Sequence, residues 1–126
     1  MPSSRIAALA LAADVTAVVV FAAVGRSTHG ESGDLFALVG TAVPFLVGLG
    51  AAWATPTVRA NPTGLRAGLT ALTGCAVLGL ALRAGFAAAL PPLVFVLISV
   101  VSLAALMLGW RALSLAVAHR AGQRVR

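Results

Sequence analysis

The stretch that decides the fold is residues 6–24, IAALALAADVTAVVVFAAV, an apolar run that only Asp14 and Thr16 interrupt. An α-helix needs about 20 apolar residues to cross roughly 30 Å of hydrocarbon. Three more runs of this kind follow, at residues 35–54, 65–82 and 93–109. The pattern predicts an all-α protein, a four-transmembrane-helix bundle.

Composition supports a membrane protein and excludes an ordinary soluble domain. Hydrophobic residues make up 60% of the chain and charged residues 10%, with a mean hydropathy of +1.04, whereas about a quarter of the residues in soluble domains are charged. We expect a single integral membrane domain over residues 1–126, with helices at about 6–24, 35–54, 65–83 and 93–113 and a basic cytoplasmic tail at 114–126. Asp14 argues against the alternative that the first run is a secretory signal peptide.

The net charge of +6 follows the predicted membrane sides and does not form a basic patch for nucleic acid. With the N-terminus inside, the outer segments contain only Arg26 and Arg83. The inner segments contain the other arginines, Arg5, Arg59, Arg66, Arg111, Arg120, Arg124 and Arg126. The positive-inside rule therefore predicts a multi-pass protein of the cell membrane with both termini cytoplasmic.

Several residues recur at a separation of 57 positions, which favours a parallel repeat of two helical hairpins. The pairs are Arg26 with Arg83, Thr16 with Thr73, and Trp53 with Trp110. The two tryptophans fall at predicted cytoplasmic helix ends, where we expect them to be interfacial anchors. Asp14 has no acidic counterpart, because Ala71 stands at the matching position.

Asp14 is the residue that most strongly indicates a function, because a carboxylate within hydrocarbon is usually paired, protonated or in contact with a polar cavity. Counted from the helix ends, Thr73 lies at a similar depth and Thr16 and Ser102 lie slightly further out. One hypothesis is a pathway for a proton, a cation or a small polar solute, with Asp14, Thr16, Thr73 and Ser102 as its polar layer.

Two other interpretations of Asp14 stay open. Asp14 could make a structural hydrogen bond, either near the Gly40 carbonyl that Pro44 deprives of its helical donor or with a hydroxyl on a neighbouring helix. Alternatively it could form an ion pair, for which Arg111 is the best partner because it lies just inside the cytoplasmic boundary and has a long side chain. Pro44 and Arg111 are therefore candidate site residues.

The predicted outer loop is the most polar segment, with Arg26, His29, Glu31 and Asp34, and Arg83 lies on the same predicted side. This outer-loop polar cluster matches no metal-binding motif, and no catalytic motif occurs in the chain. We expect no enzymatic activity, no bound metal and no cofactor.

Small residues recur at every fourth position in the second and third runs, as expected where helix backbones approach closely. The predicted packing ridges are Gly40, Pro44, Gly48 and Ala52 in the second run, and Ala67, Ala71, Cys75 and Gly79 in the third.

Short segments across nearly the whole chain carry a resemblance to a known family. They are Asp14, Val20-Phe21-Ala22, Gly25-Arg26, His29-Gly30-Glu31, Pro44-Phe45 with Gly48, Leu82-Arg83, Phe95-Val96 and Gly109-Trp110-Arg111. In this ordered set the chain resembles an uncharacterised family of small four-helix prokaryotic membrane proteins, domain of unknown function 3054. The resemblance implies the four-helix fold and membrane location but no activity. It also favours Asp14, Arg26, His29, Arg83 and Arg111 as a linked set.

The leading functional hypothesis is transport or permeation of a small ion or solute through a site near Asp14. The alternative is a non-transporting structural or accessory membrane subunit that binds another membrane protein. The expected partners are the lipid bilayer and either further copies of the chain or another membrane protein.

Overall fold

The computed structural model describes residues 4–28, 35–87 and 92–125, most of which are helical. Four helices are long, and one short helix lies in the connection between the second and third long ones. In chain order they are α1 (Ser4–Thr28), α2 (Leu35–Trp53), α3 (Pro56–Ala60), α4 (Leu65–Ala87) and α5 (Leu93–Val125). The all-α bundle is confirmed within these residues.

Three of the helices are long and apolar enough to cross a membrane, in segments Ser4–Gly25, Leu65–Phe86 and Leu93–Gly122, and Leu38–Trp53 of α2 is a shorter apolar helix. Large hydrophobic side chains also cover the outer surface; Phe36, for example, is 88% exposed. Soluble monomers rarely expose apolar surface on this scale. Helix length and outward-facing apolar side chains both indicate a protein that resides in a membrane.

For the connection after α2 the sequence predicts a loop at residues 55–64, because its two prolines, Pro56 and Pro62, stop helices. In the structure part of this connection is helical. Pro56 begins α3 at the first helical position, where a missing N–H costs nothing and the fixed φ suits the helix. The Thr55 hydroxyl donates a 2.6 Å hydrogen bond to the Ala52 carbonyl at the end of α2. Val58 and Pro62 are buried, so this connection packs onto the end of the bundle.

The last helix also extends further than its apolar run. The sequence predicts a membrane helix to about residue 113 and a basic tail at 114–126 that continues as an exposed helix to about His119. In the structure α5 continues without a break to Val125. After the buried Arg111, the residues of α5 at 112–122 are all exposed. The helix extends through this basic segment because nothing between 114 and 125 stops it: Gly122 lies three residues before the end of α5, and the segment contains no proline.

The four long helices form a ring in the order α1, α2, α4, α5, in which each packs mainly on its two neighbours. The core between them contains Val18, Phe45, Leu49, Leu103 and Met107, all essentially inaccessible. Phe21 of α1 meets Phe45 of α2 edge to face, with ring centroids 5.0 Å apart.

The closest helix contact is between α2 and α4, where parts of the two predicted small-residue ridges meet. A Cβ built on Gly48 would overlap the Gly74 carbonyl oxygen, and one on Gly79 would overlap the Phe45 ring. The Cys75 thiol, fully buried, donates to the Phe45 carbonyl oxygen at 3.3 Å. Gly40, by contrast, has no heavy atom within 4 Å of its Cβ position. The ridges therefore pack as predicted at Gly48, Cys75 and Gly79 but not at Gly40.

Candidate functional site

The site is a buried ion pair between Asp14 of α1 and Arg111 of α5. Arg111 Nη1 donates to Asp14 Oδ1 and Arg111 Nη2 donates to Asp14 Oδ2, both at 2.7 Å. Both side chains are completely inaccessible to solvent. This two-point geometry is the strongest form of arginine–carboxylate contact, because it aligns two charge-assisted hydrogen bonds. Of the interpretations left open for Asp14, the structure contains the ion pair.

Two indoles complete the hydrogen bonding of the carboxylate. Trp53 Nε1, at the end of α2, donates to Asp14 Oδ2 at 3.0 Å, and Trp110 Nε1 on α5 donates to Asp14 Oδ1 at 2.9 Å. Each carboxylate oxygen therefore accepts two hydrogen bonds, which is about its full capacity. An interfacial anchor would keep its N–H in water, whereas the N–H groups of Trp53 and Trp110 donate to a buried anion.

Arg111 is held in place by three further parts of the chain. Its Nε donates to the Pro62 carbonyl at 3.0 Å, and Nη1 also donates to the Met107 carbonyl at 3.2 Å. The guanidinium carbon lies 4.3 Å from the centre of the Trp110 ring, a cation–π distance. Gly68 of α4 makes room for the side chain, since a Cβ there would lie 2.8 Å from Arg111 Cδ.

Together these contacts form a closed polar cluster, which we call the Asp14 cluster: Asp14, Trp53, Trp110 and Arg111, with the Pro62 carbonyl. It joins α1, α2, α5 and the connection before α4 at one end of the bundle. The opposite charges compensate each other, and the hydrogen bonds offset the loss of hydration that makes buried ions costly. The carboxylate has no acceptor position left for an ion or solute in this arrangement.

Three residues of the predicted polar layer lie away from Asp14. Thr16 and Thr73 are exposed on the outside of the bundle, and their hydroxyls donate to carbonyls of their own helices, Ala12 at 2.7 Å and Leu69 at 2.8 Å. Ser102 is half-buried on α5, about 13 Å along the helix from Arg111. The predicted layer does not form around Asp14, because the side chains of Thr16 and Thr73 lie on the outward-facing sides of their helices.

Pro44 is buried within α2, which remains one helix through it. Gly40, whose carbonyl Pro44 affects, lies about 20 Å along α2 from Trp53 and hence from the Asp14 carboxylate. The alternative in which Asp14 compensates for the proline is therefore wrong.

The outer-loop polar cluster is described only in part. Arg83 is half-buried on α4, and its guanidinium carbon lies 4.7 Å from the centre of the Phe95 ring of α5. Arg83 lies about 22 Å along α4 from Gly68, the residue of α4 that is next to the Arg111 side chain. Arg83 is therefore remote from Arg111. Arg26 belongs to α1, but its side chain is outside the described part of the chain, as are His29, Glu31 and Asp34. Only Asp14 and Arg111 of the linked set are seen in contact.

The tryptophans are the site residues that sequence reasoning misassigned, although a signal for them was present. A buried carboxylate can accept about four hydrogen bonds, and one arginine donates only two of them in fork geometry. The 57-residue offset between Trp53 and Trp110 placed two N–H donors at equivalent helix ends. Both N–H groups donate to Asp14, the residue whose counterpart in the predicted repeat, Ala71, is not acidic.

Comparison with known proteins gives the family of this chain. Neither the curated proteins nor the solved structures contain a significant match. The family model described as protein of unknown function (DUF3054) matches residues 11–114, which include Asp14, Trp53, Trp110 and Arg111. The chain therefore belongs to the DUF3054 family.

Proposed function

We propose that this protein is a non-transporting structural or accessory component of a membrane, in which the Asp14 cluster holds the helices in register. The observation that carries the proposal is the saturation of the Asp14 carboxylate: all four of its hydrogen bonds come from Trp53, Trp110 and Arg111, and the carboxylate is inaccessible. A transport site must exchange its ligand with water, whereas this anion is fully occupied by protein donors.

The chemistry of the donors also supports a structural role. Guanidinium and indole N–H groups stay protonated over the whole physiological pH range, so neither can pass on a proton as histidine or a carboxyl group does. Separating Asp14 from Arg111 would leave two uncompensated charges in the bundle interior, at a cost of several kcal/mol. The cluster therefore favours one rigid arrangement over the alternation between two states that a transporter needs.

A flux measurement tests this proposal. We expect purified protein in phosphatidylcholine liposomes to conduct protons, Na⁺ and K⁺ no faster than protein-free liposomes, with ion gradients monitored by fluorescent indicators. Thr16→Val provides a folded control, since it removes only an exposed hydroxyl bonded to its own helix. A wild-type flux above that of protein-free liposomes, retained by Thr16→Val, would contradict the structural role and support transport.

We further propose that both termini are cytoplasmic. With Arg111 now assigned to the buried ion pair, six arginines remain on the proposed inner side against two on the outer side, so the charge asymmetry stays strong. We expect a C-terminal fluorescent-protein fusion to be bright and a C-terminal alkaline phosphatase fusion to be inactive. The opposite pair of signals would refute this orientation.

A further inference from the structure

Two open grooves of nearly equal size lie on the outer surface of the bundle. One, of about 450 Å³, lies between α2 and α4, and the other, of about 460 Å³, lies between α1 and α5. The α4 residues that line the first groove run from Arg66 to Gly74. Each of them lies 57 positions after an α1 residue, between Leu9 and Ala17, that lines the second. The offset noted in the sequence thus relates two matching surfaces.

Both grooves present apolar surface despite their threonines. The hydroxyl of Thr16 in one groove and that of Thr73 in the other each donate to the carbonyl four residues earlier. This local bond satisfies the hydroxyl without a partner in the groove. Apart from Arg66 and Trp110, the groove walls present mainly methyl and methylene surface, which suits contact with hydrocarbon.

The grooves differ in charge at one matching position. Arg66, the second residue of α4, is exposed and lines the α2–α4 groove, whereas Leu9 stands at the corresponding position of the α1–α5 groove. The positive end of the α4 dipole lies next to Arg66, and the first amides of a helix are without intrahelical acceptors. A phosphate at this end of the α2–α4 groove would meet a guanidinium and a favourable helix terminus.

We propose that the α2–α4 groove binds an anionic phospholipid, with its phosphate at Arg66 and an acyl chain along Ala51, Thr73 and Gly74. The α1–α5 groove accommodates acyl chains without preference for the headgroup, because Leu9 replaces the arginine. The two grooves are similar in volume, their α4 and α1 walls correspond position by position, and among the lining residues Arg66 is the charge that distinguishes them. Each groove is therefore the control for the other.

Photo-crosslinking in a bilayer tests the proposal. The full chain is reconstituted in phosphatidylcholine vesicles that contain a small fraction of phosphatidylglycerol with a photoactivatable acyl chain, and labelled peptides are located by mass spectrometry. We expect label in the α2–α4 groove to exceed label in the α1–α5 groove about fivefold, the factor that one arginine near an anionic headgroup provides. Photoactivatable phosphatidylcholine should label both grooves equally.

Variants at the matching positions make the test decisive. Arg66→Leu should equalise phosphatidylglycerol labelling of the two grooves, Arg66→Lys should retain the preference, and Leu9→Arg should create a second preferred groove. Arg59→Leu removes an exposed charge of α3 outside the groove and should change nothing. Circular dichroism checks that each variant is folded.

Three results would overturn the proposal. One is equal labelling of both grooves in the wild type, and another is an equal effect of Arg59→Leu and Arg66→Leu, which would indicate general surface attraction. The third is labelling of neither groove, which would indicate that protein, such as a second copy of the chain, covers them. Each result is independent of the flux measurement that tests the structural role.

Discussion

Loss of either partner of the buried ion pair is expected to destabilise the bundle by about 3–5 kcal/mol, because the remaining charge would be buried without compensation. Arg111→Met leaves Asp14 with the two indole donors only, and Asp14→Asn leaves the guanidinium without its counter-ion. The free energy of unfolding can be measured by titration with sodium dodecyl sulfate in mixed micelles, followed by circular dichroism and tryptophan fluorescence.

The double variant Asp14→Asn/Arg111→Met distinguishes the interaction energy between the two side chains from the separate cost of each substitution. We expect it to lose clearly less stability than the sum of the single variants, since removal of the second partner eliminates an orphaned charge. Arg83→Met is the matched control: it removes an arginine from a single ring contact and should cost only about 1 kcal/mol. The proposed role of the ion pair in holding the helices in register would be contradicted by either of two results. One is a stability loss in the double variant that equals the sum of the single losses, and the other is an equally large loss for Arg83→Met.

Gly48→Ala is expected to destabilise the bundle by about 1–3 kcal/mol, although alanine is the better helix former. The new Cβ would overlap the Gly74 carbonyl oxygen and lie 3.0 Å from Cys75 Cα. Both are backbone atoms, so they cannot rotate away as a side chain can, and α2 would have to move from α4. The same detergent titration measures this loss.

Gly50→Ala provides the control two residues further along α2. No heavy atom lies within 4 Å of that Cβ position, so the substitution adds helix propensity without a clash. We expect stability that is unchanged or raised by up to about 1 kcal/mol. If Gly48→Ala were as well tolerated as Gly50→Ala, the close contact between α2 and α4 would not matter for stability.

Periodicity and length were sufficient to locate the long helices. The starts of α2, α4 and α5, Leu35, Leu65 and Leu93, coincide with the predicted ones. An apolar run of this length has few alternatives to a helix in hydrocarbon, where every backbone group must find its partner within the segment. The end of α5 was harder to predict, because the helix continues through exposed polar residues beyond its apolar run, to Val125.

The pairing of Asp14 with Arg111 was accessible to sequence reasoning as one of three alternatives. That prediction depended on the charge and the length of the Arg111 side chain, since few cationic side chains lie near the depth of Asp14. The roles of Thr16 and Thr73 were not accessible, because depth along a helix does not tell which side of it faces the bundle. A threonine that bonds to its own helix needs no interior partner and is stable on the outer surface.

By itself the sequence determined the all-α architecture, the positions of the long helices and the resemblance to the DUF3054 family. Those properties depend on composition, spacing and local order along the chain. Only the tertiary structure decided that Trp53, Trp110 and Arg111 meet on Asp14, and that Thr16 and Thr73 line outer grooves. The reason is physical: helix rotation and stagger depend on close contacts such as that of Gly48 with Gly74, and these contacts join residues distant in sequence.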